Sequence, residues 1–486
     1  MVGLLTSLIL PWAMGYIWLS LLWKGVATGS NGDYNAQSEN GDVVSVQPVL
    51  LGYGYLIGIQ STTFVIRLLD ATGIRLSLLN ISLPLVGITI LGWVFRRRLS
   101  EKKSPSRHAF SAFRIPCNGR TLASAVFLGL ILLRTVTLGI EVWTRPLFPW
   151  DAWTAWAQKS NVWFELRHLV PFVSPALWLK AGGESVFTGL AYDYPPTVPL
   201  IQVWSLLGLG HWDDALMNSP WLLCLISITL AFYGQARLWG IAPHICLGAL
   251  YMLVSLPLLD AHVALAGYAD LWMAGAYGLA AMAFLHWARS RDLRQGILAL
   301  LMAVCAIQIK AEGIVWVLTL LPAMLLVVFR RRWLVVIGGS LLLAAVFLYV
   351  KGGFDIQIPF LGRVMIQSGK MALPGLGQIE LGFSGVGYRF VEHMFFLGSW
   401  HLFWYFTIGI LLLGLPRIYR DKTLLVAYIV VGGCVFLVGF MFFFTEMALW
   451  AQQVTALNRI LLHAVLTMSF VVLITFHVLH RSLQTK

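Results

Sequence analysis

The chain is cut into apolar runs about 20 residues long, and several of them end abruptly on a basic cluster. Arg96-Arg97-Arg98 and Lys102-Lys103 close one such run, and Arg330-Arg331-Arg332 closes another. A run of that length and apolarity fits a bilayer core, where backbone groups must bond within the segment itself, so it has to be helical. Charged residues make up only 11% of the chain, against about 25% in soluble proteins. That excludes a soluble enzyme, a nucleic-acid-binding domain and a disordered tail. The net charge of +13 therefore points to basic loops on the cytoplasmic side of a membrane rather than to a nucleic-acid partner.

The apolar pattern predicts an all-α polytopic membrane protein with about 13 spans. The first seven are placed at Leu4–Trp23, Pro48–Leu69, Leu76–Phe95, Thr121–Val142, Pro220–Ala236, Ile245–Leu259 and Leu271–Ala288. Two short spans meet near residues 308–312, and a turn between short spans is expected to lie in a protein-lined cavity. One more span ends near Lys351, and three complete the chain. The loop from Arg96 to Arg120 holds eight Lys and Arg residues and is read as cytoplasmic. That orientation puts two long loops, 143–218 and 351–393, on the extracytoplasmic side. The chain then divides into 1–120, an N-terminal span region; 121–330, a catalytic membrane module; and 331–486, a C-terminal span region. No basic residue precedes the first run, so it is read as a retained span rather than a cleaved signal peptide. The five cysteines, Cys117, Cys224, Cys246, Cys305 and Cys434, form no CxxC and suggest neither a disulfide framework nor a zinc site.

Ionisable groups in or beside membrane spans are the first candidates for function, because burying charge there is costly. Asp151, in Pro149-Trp150-Asp151-Ala152-Trp153, suits either a helix N-cap or a general base at the membrane surface. Asp270, ending Gly267-Tyr268-Ala269-Asp270, has the same two readings, and Asp260 reads as a solvated span end. Lys310 and Glu312 are two apart and would not face each other on a helix. Lys310 and Arg459 are either snorkelling cations or contacts for a lipid phosphate. Tyr194 precedes Pro195-Pro196 and is expected to be extended before a short apolar helix. Trp150 and Trp153 belong to nine tryptophans between Trp143 and Trp221, mostly an interfacial belt with some available to stack on a sugar. No Walker loop, HExxH motif or serine elbow is present.

The order of these motifs resembles the GT-C superfamily of membrane glycosyltransferases, such as protein O-mannosyltransferases and lipid A aminoarabinose transferases. The matching text is Trp150-Asp151, Tyr194-Pro195-Pro196, Gly267-Tyr268-Ala269-Asp270 and Lys310-Ala311-Glu312-Gly313, over roughly residues 121–330 with an echo at Arg459. The resemblance implies sugar transfer from a polyprenyl-phosphate donor to a glycan, lipid or protein acceptor on the extracytoplasmic face of the plasma (inner) membrane. It implies Asp151 as catalytic base and Asp270 as a second catalytic carboxylate. It also implies Lys310 and Arg459 as phosphate contacts, with Glu312, Tyr194, Tyr268, Trp150 and Trp153 around the substrate. Three spans ahead of the catalytic loop and the lack of a large C-terminal soluble domain depart from the family pattern. No cofactor is demanded by the sequence, and the pair Asp151 and Asp270 is the one suited to a divalent cation. Membrane lipids are expected partners and nucleic acid is not. The competing expectations are a lipid-linked-sugar transporter or flippase, and a polymerase or ligase using Arg363 and Arg389 of the second long loop.

Overall fold

A computed structural model describes residues 1–24, 35–37, 43–100, 118–182, 185–329, 331–358, 362–367, 369–373 and 377–484. The basic stretch 101–117 with Cys117, and Arg330, fall outside the described residues.

The chain is mostly helical. Helices α1 (Val2–Lys24), α2 (Gln47–Ala71), α3 (Leu78–Ser100) and α4 (Gly119–Thr144) come first, with a short β1–β2 pair (Asn35–Gln37, Val43–Ser45) between α1 and α2. A π-helical turn (Ala152–Ala157) runs into α5 (Gln158–Leu166), and α6 (Pro175–Lys180) and α7 (Thr197–Leu209) follow. The centre is α8 (Ser219–Leu238), α9 (Pro243–Val254), α10 (Pro257–Ala264), α11 (Asp270–Ser290) and α12 (Leu293–Ile309). Then come α13 (Gly313–Leu318), α14 (Leu321–Val328) and α15 (Arg331–Val350). After a β-sheet, α16 (Gly387–Phe395), α17 (Phe403–Gly414), α18 (Lys422–Phe444), α19 (Ala448–Gln452) and α20 (Leu457–Gln484) complete the fold.

Among the described residues, eight helices are long and apolar enough to cross a membrane, or nine if the α9–α10 pair, bent by 67°, is one span. The other expected spans fall on α15 and on the shorter apolar helices α12, α13–α14 and α17.

Helices α11 and α20 form the buried centre. They pack side by side, and α8, α12 and α18 surround α11. The close approach has a small-residue cause: a Cβ on Gly278 would meet Leu466 Cδ2 at 2.5 Å. Two features of the long loops go beyond the sequence reading. The expected apolar helix, α7, packs into the bundle: every residue from Thr197 to Leu207 is buried, with α1, α2 and α5 against it. The second loop, for which the sequence reading named no element, holds strands. It folds as an antiparallel meander, β3 (Gly353–Ile358), β4 (Gly362–Gln367), β5 (Lys370–Leu373) and β6 (Gly377–Glu380). Asp260 is also not a solvated span end: it is 7% exposed and pairs with Arg134, well inside α4. Cys224, Cys246, Cys305 and Cys434 are buried free thiols.

Candidate functional site

Four side chains from three chain segments converge on one carboxylate, Asp270, at the first turn of α11. Asp270 is fully buried. Its Oδ1 accepts from Lys310 Nζ at 3.1 Å and from His463 Nε2 at 3.0 Å. Its Oδ2 accepts from Arg459 Nε at 3.0 Å and Nη2 at 2.9 Å, and His262 Nε2 stands 3.8 Å away. The side chain does not cap its helix; Ala269 holds the N-cap position. Its charge is instead matched by cations from α12's end and from α20.

Lys310 reaches inward because α12 stops at Ile309. Lys310 is extended (φ −141°, ψ 151°), so helical spacing no longer governs its relation to Glu312. The two form an ion pair at 2.6 Å, which corrects the expectation that they would not meet. Lys310 is 5% exposed and Glu312 8%, so neither snorkels, and the turn between α12 and α13 lies inside the protein. At the start of α20, Arg459 bridges two acids: Nε and Nη2 go to Asp270, while Nη1 donates to Asp151 Oδ2. Its guanidinium also lies 4.5 Å from the Tyr268 ring centroid.

Asp151 differs from Asp270 in access. It precedes the π-helical turn but makes no capping bond, and its side chain remains 40% exposed while paired with Arg459. The backbone that brings it near Asp270 depends on Gly267. Gly267 has φ +108°, and a Cβ there would stand 2.7 Å from Leu147 Cδ1 and 2.8 Å from Ala152 Cβ. Gly267→Ala is therefore expected to cost about 1–3 kcal/mol through strain and to push the Asp151 turn away from Tyr268. Thermal melting in detergent checks it, and an unchanged midpoint would contradict this packing.

Tyr194 stacks on Trp156 with ring centroids 5.4 Å apart. Burial and the neighbouring Glu312 push its phenol up to about 12, so it stays a hydrogen-bond donor. The Tyr-Pro-Pro segment is held by Lys159, whose ammonium donates to the carbonyls of Ala191, Tyr192 and Tyr194. Burial draws that amine down from 10.5 to about 8, with Asp193 opposing. Between those two values the unfolded chain holds more protons than the folded one, so stability should rise with pH there. Lys159→Met should erase that rise in a pH series of melting midpoints; an unaltered slope would contradict a buried amine.

Two of the expected substrate residues sit apart. Trp150 is 73% exposed, as an interfacial tryptophan would be, and Trp153 ties its indole to the carbonyl of Leu147. Residues the sequence reading missed are His463, His262, Lys159 and Arg67. Arg67 and Lys159 line a cavity of about 560 Å³ beside Tyr194, in which no carboxylate takes part. A second, mainly apolar cavity of about 410 Å³ adjoins it through Phe64 and runs between α1, α2, α3 and α12. In the second loop, Arg363 and Arg389 are each taken by a neighbouring carboxylate, Asp355 at 2.6 Å and Glu392 at 2.6 Å.

The donor set does not suit a divalent cation. The guanidinium of Arg459 occupies the position between Asp151 and Asp270 that a metal would need, and Lys310 adds a second positive charge there. Among the described residues no cluster of His, Cys, Asp and Glu could hold one. No protein-family model, curated protein or solved structure matches the chain.

Proposed function

We propose that the chain is an integral membrane glycosyltransferase of the GT-C type. It moves a sugar from a polyprenyl-phosphate carrier to an acceptor hydroxyl on the extracytoplasmic face of the plasma membrane, in a bundle of about 13 spans. One observation carries this reading: an accessible carboxylate, Asp151, stands at the edge of a buried charge cluster anchored on Asp270. The tandem cavities along α2 add support, since their apolar part suits a lipid chain and Arg67 and Lys159 suit its phosphate.

The chemistry follows from access. Asp151 takes the acceptor's hydroxyl proton as the acceptor oxygen bonds the anomeric carbon. The bond from that carbon to the carrier phosphate breaks, and its electron pair leaves with the phosphate. Arg459, 25% exposed at its side chain, is the cation placed to stabilise the developing charge. Lys310 is enclosed behind it and balances Asp270 and Glu312. Asp270 therefore acts as a positioning residue rather than a second base, because all its lone-pair directions face protein donors.

A transporter reading would favour ionisable groups at the bilayer midplane between internal repeats, whereas this cluster gathers at the ends of α11, α12 and α20. Purified protein incubated with polyprenyl-phosphate sugars and cell-envelope acceptors should release polyprenyl phosphate and form glycosylated product. Donor movement across vesicles with no product would sink the enzyme reading.

A further inference from the structure

At the other ends of α11 and α20, away from Asp270 and Arg459, lies a separate cavity of about 230 Å³. Trp239, Arg289, Asp421, Thr423, His477 and Arg481 line it. Two guanidinium groups face it against one carboxylate, so its charge is net positive. Asp421 is partly committed elsewhere: its Oδ1 caps α18 by accepting from the amides of Thr423 at 2.8 Å and Leu424 at 3.1 Å. The Arg289 guanidinium lies 4.4 Å from the Trp239 ring centroid, which fixes it at the wall.

Two polar atoms of this lining are buried without a hydrogen-bond partner among the described residues. They are the indole Nε1 of Trp239, a residue 2% exposed, and Nε2 of His477. A buried donor left unpaired is costly, so an indole N–H beside two guanidinium groups calls for an acceptor-rich anion. Arg417 is bonded to Ser482 Oγ at 2.5 Å, one residue from Arg481, and Arg420 and Lys422 are exposed near it in the chain.

We propose that this cavity binds a phosphate group, that of an anionic lipid at the membrane surface or of a soluble phosphorylated compound. The fork geometry of Arg289 and Arg481 matches phosphate oxygens, and basic pockets between helix ends are suited to such headgroups. The volume is below that of a typical cofactor site, about 300–1,000 Å³, and admits a headgroup rather than a whole substrate. Arg459 and Arg481 are 22 residues apart on α20, about 33 Å along the axis. The ligand is therefore not a reactant of the Asp151 cluster. It braces α11, α18 and α20 from the opposite end, and the site does not depend on the glycosyltransferase reading.

The test uses the full-length protein in nanodiscs of phosphatidylcholine alone or with phosphatidylglycerol. Native mass spectrometry reads retained lipid, and melting is followed with and without inorganic phosphate. Phosphatidylglycerol should be retained in preference and should raise the melting midpoint. Arg481→Gln should lower retention about tenfold or more, the usual weight of a charge-assisted hydrogen bond. Trp239→Phe keeps an aromatic ring but removes the N–H with part of the buried indole, and should weaken retention several-fold, read against the variant's own midpoint in phosphatidylcholine. If inorganic phosphate alone raises the wild-type midpoint and Arg481→Gln abolishes the rise, the phosphate comes from a soluble compound. Equal retention of both lipids with no response to phosphate would overturn the proposal, as would a lipid preference or phosphate response that both variants leave intact.

Discussion

Asp151→Asn is expected to reduce sugar transfer by about 10²–10⁴-fold while leaving the protein folded. The Asn side chain keeps an oxygen for Arg459 but cannot take a proton. A loss of about 10³ corresponds to roughly 4 kcal/mol of barrier height. Because Asp151 is 40% exposed at its side chain, the substitution strands no deeply buried charge. The loss should therefore fall on kcat, with the melting midpoint nearly unchanged. Steady-state transfer alongside thermal melting separates these effects. An Asn variant with wild-type kcat would remove Asp151 from the chemistry.

Asp270→Ala should behave in the opposite way, failing first in folding. The change takes from Lys310 and Arg459 the buried carboxylate they share, leaving only Glu312 and Asp151 as their partners, and leaves the Nε2 of His463 without its acceptor. Breaking a buried pair on one side costs about 3–5 kcal/mol, a large share of the roughly 5–15 kcal/mol that holds a typical domain together. Asp270→Asn is a milder probe with the same direction. Both Asp270 oxygens accept from donors, so an amide presents an N–H₂ to donors whichever way it is turned. Size-exclusion profiles and melting midpoints should show Asp270→Ala most impaired, Asp270→Asn intermediate and Asp151→Asn close to wild type. A monodisperse Asp270→Ala protein with the wild-type midpoint would contradict the buried anchor.

The sequence names most of the charge cluster because its members stand at helix ends beside readable punctuation. Asp151 follows Pro149, Asp270 follows Gly267, Lys310 and Glu312 fill a polar break between apolar runs, and Arg459 opens one. Their mutual contact needs the tertiary fold, since Asp151 and Arg459 are far apart in the chain. His463 had a local signal, lying four residues after Arg459 on the same face of α20. The pairing of Lys310 with Glu312 escaped a helical-spacing argument because the helix stops one residue before Lys310. Lys159 and Arg67 carry no motif, and their role depends on which cavity their helices border. Helix α7 was read, and its burial was legible in principle. It is apolar on every face, the mark of a buried helix, although it sits in a loop between spans. The β3–β6 meander was hidden because its strands are short and exposed, with Ile356 and Ile366 facing out at 54% and 40% exposure.

The anomeric configuration of the product tests the central claim most directly. One accessible base and no enzyme nucleophile at the reacting centre require direct displacement, so NMR of product made by the wild type should show inversion relative to the polyprenyl-phosphate donor. Retention of configuration would exclude a single back-side displacement and would contradict the role assigned to Asp151.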